Sequence, residues 1–147
     1  NAIKAEGFDG CWIFAMGTND TANVAVGSTI GVDERIDRLM SVAGDNPAIW
    51  INVRSLVPSG PYSEENMQKW DDALLSACEE YPNMRVYDWS SRVRDDWFIT
   101  DGIHFTSEGY VARAKGIAKS VTEAFPPTAG LGGVWTPRTA PESCIVK

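Results

Sequence analysis

Residues 48–53 read AIWINV, an apolar run that is preceded by Pro47 and followed a few residues later by Pro58. Residues 11–16, CWIFAM, form a second such run, and residues 84–89, MRVYDW, form a third that is more mixed. Short runs that are apolar throughout, rather than alternating, are typical of strands buried on both faces of a parallel sheet. The three runs therefore predict three strands of one sheet.

Helical patterns separate and follow these runs. Residues 32–44, 63–81 and 106–125 each place apolar side chains on one face of a helix. Ser63 and Thr106 stand at the starts of the last two segments, where a hydroxyl can cap the first turn. The alternation of strand and helix predicts an α/β protein, with a parallel sheet between helical layers in an α/β/α sandwich.

The cysteines bear on how the end of the chain is held. With 147 residues, the chain is expected to form one domain over residues 1–125, followed by a Pro/Gly-rich tail over residues 126–147. Cys11, Cys78 and Cys144 cannot all pair within one copy, and Cys11 is expected to be a buried free thiol. A disulfide from Cys144 to Cys78 or to another chain would anchor the tail and would imply an oxidising compartment.

The charge and apolar content of the chain exclude several classes of partner. Thirteen Lys and Arg against 20 Asp and Glu give a net charge of −7. This acidic balance argues against nucleic acid and against an anionic membrane surface as partners. The apolar runs are much shorter than the roughly 18 residues that span a bilayer, so no transmembrane segment is expected in this chain.

Asp101 and His104 form the first of two polar clusters predicted at the carboxyl ends of the strands, where open α/β sheets bind ligands. His104 is the only histidine, and a neutral imidazole is the best general base near neutral pH. A spacing of three residues through a turn lets the carboxylate reach the imidazole Nδ1–H and stabilise the imidazolium. A surface histidine beside a helix cap is the alternative reading of so short a motif.

The second polar cluster, Gly17-Thr18-Asn19-Asp20, directly follows the first apolar run. A side-chain amide just past a strand end, such as that of Asn19, can donate to an oxyanion, which contributes about 3–4 kcal/mol in acyl-transfer sites. Asp20 is expected to hold this loop through hydrogen bonds to the backbone. An ordinary Asn/Asp turn is the alternative.

Taken together, the sequence MGTND, which ends at Asp20, and the sequence DGIHFTSEGY, which begins at Asp101, resemble two conserved blocks of the SGNH (GDSL-type) hydrolase family. The family's Gly-x-Asn-Asp block is matched by Gly17, Asn19 and Asp20, and its Asp-x-x-His block by Asp101 and His104. The resemblance implies that His104 is the base and that Asp101 orients it. It also implies that Asn19 and Gly17 bind the oxyanion and substrate, with Asp20 in support.

The resemblance covers residues 11 to about 125 and implies a flavodoxin-like α/β/α fold. The implied activity is that of a serine esterase or O-acyltransferase that needs no cofactor and no metal. Its expected substrates are acyl esters, with acetyl as the expected acyl group, of a carbohydrate (a glycan) or a lipid. A narrower similarity, to SGNH domains of bacterial envelope acyltransferases, implies an extracellular or cell-envelope location.

The chain departs from the family at the nucleophile. The family's serine lies in a Gly-Asp-Ser motif after its first strand, and this sequence contains no such motif. Only ten residues precede the first apolar run, which matches the family's third strand. The resemblance therefore implies that two strands, the serine and a glycine oxyanion donor belong to a companion N-terminal segment. Of four serines considered within the chain, Ser55 is the nearest candidate, and none stands in a strand-to-helix elbow: Ser28, Ser55, Ser90, Ser91.

Three origins for such a chain stay open: a cleaved precursor, a truncated product, and a non-catalytic relic. The rival function is accordingly that of an inactive SGNH-like module that binds envelope glycans or a protein partner. Asp95, Asp96 and Asp101, with one histidine in the whole chain, lack the spacing of a metal site. Trp97 and Phe98 are expected either to flank the acyl or sugar site or to pack in the core.

Overall fold

The structure is a computed structural model, and it describes residues 7–8, 10–126 and 144–147. Its strands are β1 (Trp12–Phe14), β2 (Ala48–Ile51), β3 (Met84–Tyr87) and β4 (Ile145–Val146). Its helices are α1 (Thr18–Ala25), α2 (Val32–Ala43), α3 (Glu64–Glu80) and α4 (Ser107–Ala124), with a short 3-10 helix at Asp95–Trp97. The strands form one all-parallel sheet in the order β1-β2-β3-β4, which confirms the predicted α/β class.

Helices cover both faces of the sheet. Successive residues of a strand point to opposite faces, so β2 contributes Trp50 to one core cluster and Ile49 and Ile51 to the other. The first cluster includes residues of α2 and α3, among them Trp70, and the second lies under α4. All residues of β2 and β3 are buried, which confirms that the continuous apolar runs mark central strands.

The predicted caps hold the starts of α3 and α4. The Ser63 hydroxyl accepts a hydrogen bond from the Asn66 N–H at 3.4 Å, and the Thr106 hydroxyl accepts one from the Gly109 N–H at 3.2 Å. Each cap satisfies one of the backbone donors that the first turn leaves without a partner. The start of α4 matters for the site, since Thr106 follows His104 by only two residues.

β1 departs from the prediction of a strand buried on both faces. Ile13 is 50% exposed and Met16, just beyond the strand, is 46% exposed. The reason is positional: within the described residues, α4 packs mainly on β2, β3 and β4, so this face of β1 has less helix over it. Among the described residues, β1 pairs only with β2, so its outer edge has no neighbouring strand.

The polar segment after β1 is a helix, α1, where the sequence predicted a loop or turn. Thr21 and Ala22 are its buried residues, and the Thr21 hydroxyl donates to the Asn66 carbonyl of α3 at 2.8 Å. Packing against α3 therefore stabilises a segment whose sequence, TNDTANVA, has little apolar periodicity.

The last residues of the chain add a fourth strand that the sequence did not predict. β4 pairs in parallel with β3, and a disulfide joins Cys144 to Cys78 on α3. Of the two pairings that the sequence left open for Cys144, the one to Cys78 is the one formed. Cys11 is free and half-buried. The predicted tail between residues 127 and 143 lies outside the described residues.

Candidate active site

Asp101 and His104 meet as their spacing predicts. One carboxylate oxygen of Asp101, Oδ2, lies 2.7 Å from His104 Nδ1. The other, Oδ1, accepts the backbone N–H groups of Ile103 and His104 at 2.8 and 2.9 Å. The carboxylate therefore closes the turn and holds the imidazole at the same time. Its contact to Nδ1 leaves Nε2 as the ring nitrogen that can exchange a proton with another molecule.

The electrostatics of this turn favour an ionised carboxylate. Hydrogen bonds from the backbone N–H groups of His104 and Ile103, followed by the His104 side chain, lower the pKa of Asp101 to about 2. The side chains of His104 and Asp101 are 65% and 40% exposed. An ionised carboxylate at Nδ1 favours the tautomer that presents a basic Nε2, and it stabilises the imidazolium that proton uptake would form.

Backbone hydrogen bonds hold the turn from both sides. The Ile99 N–H donates to the His104 carbonyl at 2.9 Å, and the Gly102 N–H donates to the Ile99 carbonyl at 3.0 Å. Gly102 has φ +69°, a conformation that side-chain-bearing residues rarely adopt. The Leu56 N–H donates to the Gly102 carbonyl at 2.8 Å, which ties the turn to the loop that follows β2.

Gly17 allows the chain to pass from β1 into α1. Its φ of +132° favours glycine, and a Cβ at this position would lie 2.7 Å from Cε2 of the buried Trp70 indole. Gly17 is itself buried, and its carbonyl accepts the Thr21 N–H at 2.8 Å. The close approach to Trp70 sets where α1 begins, and it thereby sets where Asn19 lies.

Asn19 is exposed in the first turn of α1. The start of a helix carries backbone N–H groups without intrahelical acceptors and a partial positive charge. A side-chain amide at this end of the helix can therefore add a donor to an environment that already favours developing negative charge.

Asp20 holds its segment in a different way from the predicted one. Its partner is a side chain rather than the backbone: Arg35 Nη1 of α2 lies 2.9 Å from Asp20 Oδ1. Arg35 also donates to the Ile30 carbonyl and to the Ser28 hydroxyl, at 3.1 and 2.9 Å. Both charged side chains are about one-fifth exposed, at 20% and 19%. The pair joins the start of α1 to α2 and to the loop between them.

A single segment contacts both polar clusters. We call residues 52–63, which connect β2 to α3, the bridging loop. At Leu56 it donates to the Gly102 carbonyl in the Asp101–His104 turn, and at Tyr62 the phenol donates to Asn19 Oδ1 at 3.2 Å. The bridging loop therefore connects the two clusters through one hydrogen bond to each. The sequence carries no local signal for Tyr62, because its contact to Asn19 spans 43 residues.

The bridging loop is held by its own hydrogen bonds. The Ser55 hydroxyl is buried, donates to the Tyr62 carbonyl at 2.6 Å and accepts from the Val57 N–H at 3.2 Å. The Glu64 carboxylate accepts the Ser55 N–H at 2.8 Å. Ser55 is therefore a structural residue, which removes the nearest candidate for a nucleophile within the chain.

The other serines considered are also engaged elsewhere. The Ser28 hydroxyl bonds Arg35 and the Ile30 backbone, and the hydroxyls of Ser90 and Ser91 donate to Asp88. Across residues 7–8, 10–126 and 144–147, no serine hydroxyl forms a hydrogen bond to His104.

A polar network joins the carboxyl ends of β2 and β3. The Asn52 amide donates to Asp88 at 3.0 Å and to the Ser90 hydroxyl at 2.8 Å, and it accepts the Ser90 N–H at 2.7 Å. Burial alone would raise the pKa of Asp88, but hydrogen bonds to it, including the one from Asn52, bring the pKa below its ordinary value. Nearby, Asp71 accepts the Val53 N–H at 2.9 Å, and burial raises the pKa of Asp71 to about 7.

Residues 95–98 pack or form surface ion pairs. Phe98 is buried, and the Trp97 ring stacks on Trp89 at 5.9 Å between centroids. Asp95 pairs with Arg54 at 2.7 Å, and Asp96 pairs with Arg94. Of the two roles that the sequence left open for the aromatic residues, core packing is the one that the contacts support.

Within the part of the chain that the structure describes, no group of three or more His, Cys, Asp or Glu side chains is placed to hold a metal ion. No described helix is both long enough and apolar enough to cross a membrane. A scan against protein-family models and searches of curated proteins and of solved structures find no match to this chain.

Proposed function

We propose that this chain contributes the base and an oxyanion donor to a serine esterase or O-acyltransferase of SGNH type. In the proposed reaction, His104 is the general base, Asp101 orients it, and Asn19 donates to the oxyanion. Gly17 and Asp20 hold the start of α1, and the nucleophilic serine belongs to a companion segment. The observation that carries the proposal is the 2.7 Å contact between Asp101 Oδ2 and His104 Nδ1 in a turn tied to the loop that also contacts Asn19.

The proposed reaction runs in two proton-balanced steps. His104 Nε2 takes the serine proton while the serine oxygen attacks the ester carbonyl, and Asn19 donates to the oxygen that becomes negative. The tetrahedral intermediate then releases the alcohol, which receives the proton from His104, and an acyl-serine is left. His104 next deprotonates water or a sugar hydroxyl, which attacks the acyl-serine carbonyl. The second tetrahedral intermediate releases the free acid or the acylated sugar, and the serine oxygen takes the proton back from His104. Asp101 stays ionised throughout, in keeping with its low pKa.

The uncovered part of the sheet supports the companion segment. β1 has an unpaired outer edge among the described residues, and Ile13 and Met16 beside it are about half exposed, at 50% and 46%. Unpaired strand edges and exposed apolar side chains favour association with another segment. A further strand paired with that edge, followed by a helix on the α4 side of β1, would cover both the edge and these two side chains. A serine at the carboxyl end of such a strand would lie on the same side as Asn19, which follows β1.

The surroundings of the turn suit an acyl ester. Leu56 and Ile99, whose N–H groups bond the residues of the turn, are 39% and 44% exposed. We propose that these exposed apolar side chains receive the acyl chain. The Cys78–Cys144 disulfide suits an oxidising compartment, and we place the proposed activity outside the cell or in a bacterial envelope.

The test uses the full-length product of the gene, an acetyl-ester assay and a fluorophosphonate probe. We expect the probe to label a serine of the companion segment, and His104→Ala to lose labelling and to lower kcat about 10³–10⁴-fold. Lys119→Ala is the matched control, because Lys119 forms an exposed ion pair with Glu123 on α4, away from the turn. Full turnover in folded His104→Ala would exclude the mechanism.

Two further outcomes separate the rivals. If the probe labels a serine and the unlabelled protein converts an acceptor sugar into its acetyl ester, the enzyme is a transferase, whereas release of free acetate alone identifies a hydrolase. No labelling and no ester turnover would overturn the enzyme and favour a module that binds glycans or a protein partner.

A further inference from the structure

We infer that Tyr62 is a positioning residue that fixes the orientation of the Asn19 amide, an inference that rests on the oxyanion role proposed above. The Tyr62 hydroxyl lies 3.2 Å from Asn19 Oδ1 and donates to it. Tyr62 belongs to the bridging loop and Asn19 to α1, so the contact joins two elements that each border the site.

The chemistry of the amide explains why this contact matters. An asparagine side chain has an accepting oxygen and a donating NH₂ group, and rotation by half a turn about its last bond exchanges them. Only the NH₂ end can stabilise an oxyanion. Because Tyr62 donates to the oxygen, the amide keeps its NH₂ group on the other side, where it is available to a substrate.

The position of Tyr62 is itself fixed by packing and by hydrogen bonds. Its ring is half-buried and packs against the core cluster under α2 and α3. Its carbonyl accepts the buried Ser55 hydroxyl at 2.6 Å, and the next residue, Ser63, caps α3. With its backbone fixed on both sides and its ring packed, the phenol loses little further freedom when it bonds Asn19.

The variant Tyr62→Phe removes only the hydroxyl. In the full-length gene product we expect kcat to fall about threefold to tenfold, as for one hydrogen bond, while KM stays unchanged because the substrate is not contacted. The pH profile should not move, since the His104–Asp101 pair is untouched. Tyr81→Phe is the matched control: it also deletes a phenol hydrogen bond, the 3.0 Å bond to Asp37, and we expect full activity from it.

A double-mutant cycle with Asn19→Ala decides whether Tyr62 acts through Asn19. If it does, Tyr62→Phe lowers kcat in the wild-type background and has no further effect once Asn19 is Ala. An undiminished effect in the Asn19→Ala background would overturn the inference and leave the proposed function intact. Full activity of Asn19→Ala would instead overturn the oxyanion role itself, and the positioning role with it.

A second measurement does not depend on activity. In the ¹H–¹⁵N NMR spectrum, we expect Tyr62→Phe to shift the side-chain NH₂ resonances of Asn19, and Tyr81→Phe to leave them in place. Unchanged Asn19 resonances in Tyr62→Phe would overturn the inference even for a protein without measurable turnover.

Discussion

The double variant Cys78→Ala/Cys144→Ala is expected to lower the free energy of unfolding by about 4 kcal/mol. The disulfide joins residues that are 66 apart in the sequence. Releasing a loop of this length from the unfolded chain gives about 4 kcal/mol in the chain-entropy treatment. For a chain of 147 residues, the entropy of unfolding is about 0.3 kcal/mol/K, so Tm should fall by about 10–15 °C.

The position of the disulfide adds a local consequence. β4 has only two residues, and its backbone accepts the Asp88 N–H at the Val146 carbonyl, at 3.0 Å. The carbonyl of Cys144, just before β4, accepts the Val86 N–H at 2.9 Å. Without the covalent link, so short an edge strand is expected to open before the rest of the sheet. Hydrogen exchange at Val86 and Asp88 should therefore accelerate more than exchange in β2.

Thermal unfolding followed by circular dichroism, together with native-state hydrogen exchange, checks both expectations. Cys11→Ala is the matched control, because it removes a thiol that forms no disulfide. Its Tm should change far less than that of the double variant. A double variant whose Tm falls by less than about 3 °C, with Val86 and Asp88 still protected, would refute the reasoning.

Two further predictions concern buried groups. Burial raises the pKa of Asp71 to about 7 in the fold, against 3.8 for the ordinary group. The protonated carboxyl group of Asp71 therefore stabilises the fold fully below about pH 4, and this contribution to the free energy of unfolding is lost as pH rises through 7. Asp71→Asn should flatten this dependence. Measured by urea unfolding, the variant's free energy of unfolding relative to that of the wild type should be higher at pH 8 than at pH 4 by about 2–4 kcal/mol. An unchanged pH profile would contradict this prediction. Gly17→Ala should destabilise the protein by about 1–3 kcal/mol more than Gly27→Ala, since both positions have positive φ but only Gly17 lies against Trp70. Equal unfolding free energies for the two variants would count against that contact.

The features that could be read from the sequence are local ones. The runs at 48–53 and 84–89 became central strands, because a strand buried on both faces favours apolar residues on both; β2 is apolar throughout and β3 is apolar except for Arg85. The Asp101–His104 contact was also predictable in kind, because it closes a turn of four residues whose reach is set by bond geometry.

Other features needed the assembled molecule. Ile13 lies in an apolar run like those of β2 and β3, yet it is half exposed, because α4 packs over the other strands. α1 has little sequence signal of its own and forms where Gly17 meets Trp70 and Thr21 meets α3. Its start then decides where Asn19 stands.

The α/β class, the caps of the last two helices and the residues of the Asp101–His104 turn all follow from the amino-acid sequence, since each depends on neighbours a few positions away. Only the assembled fold settled which cysteine Cys144 joins and that the Tyr62 phenol bonds Asn19. These depend on contacts between residues that are 43 to 66 positions apart, and only the packing of helices on both faces of the sheet brings such residues together.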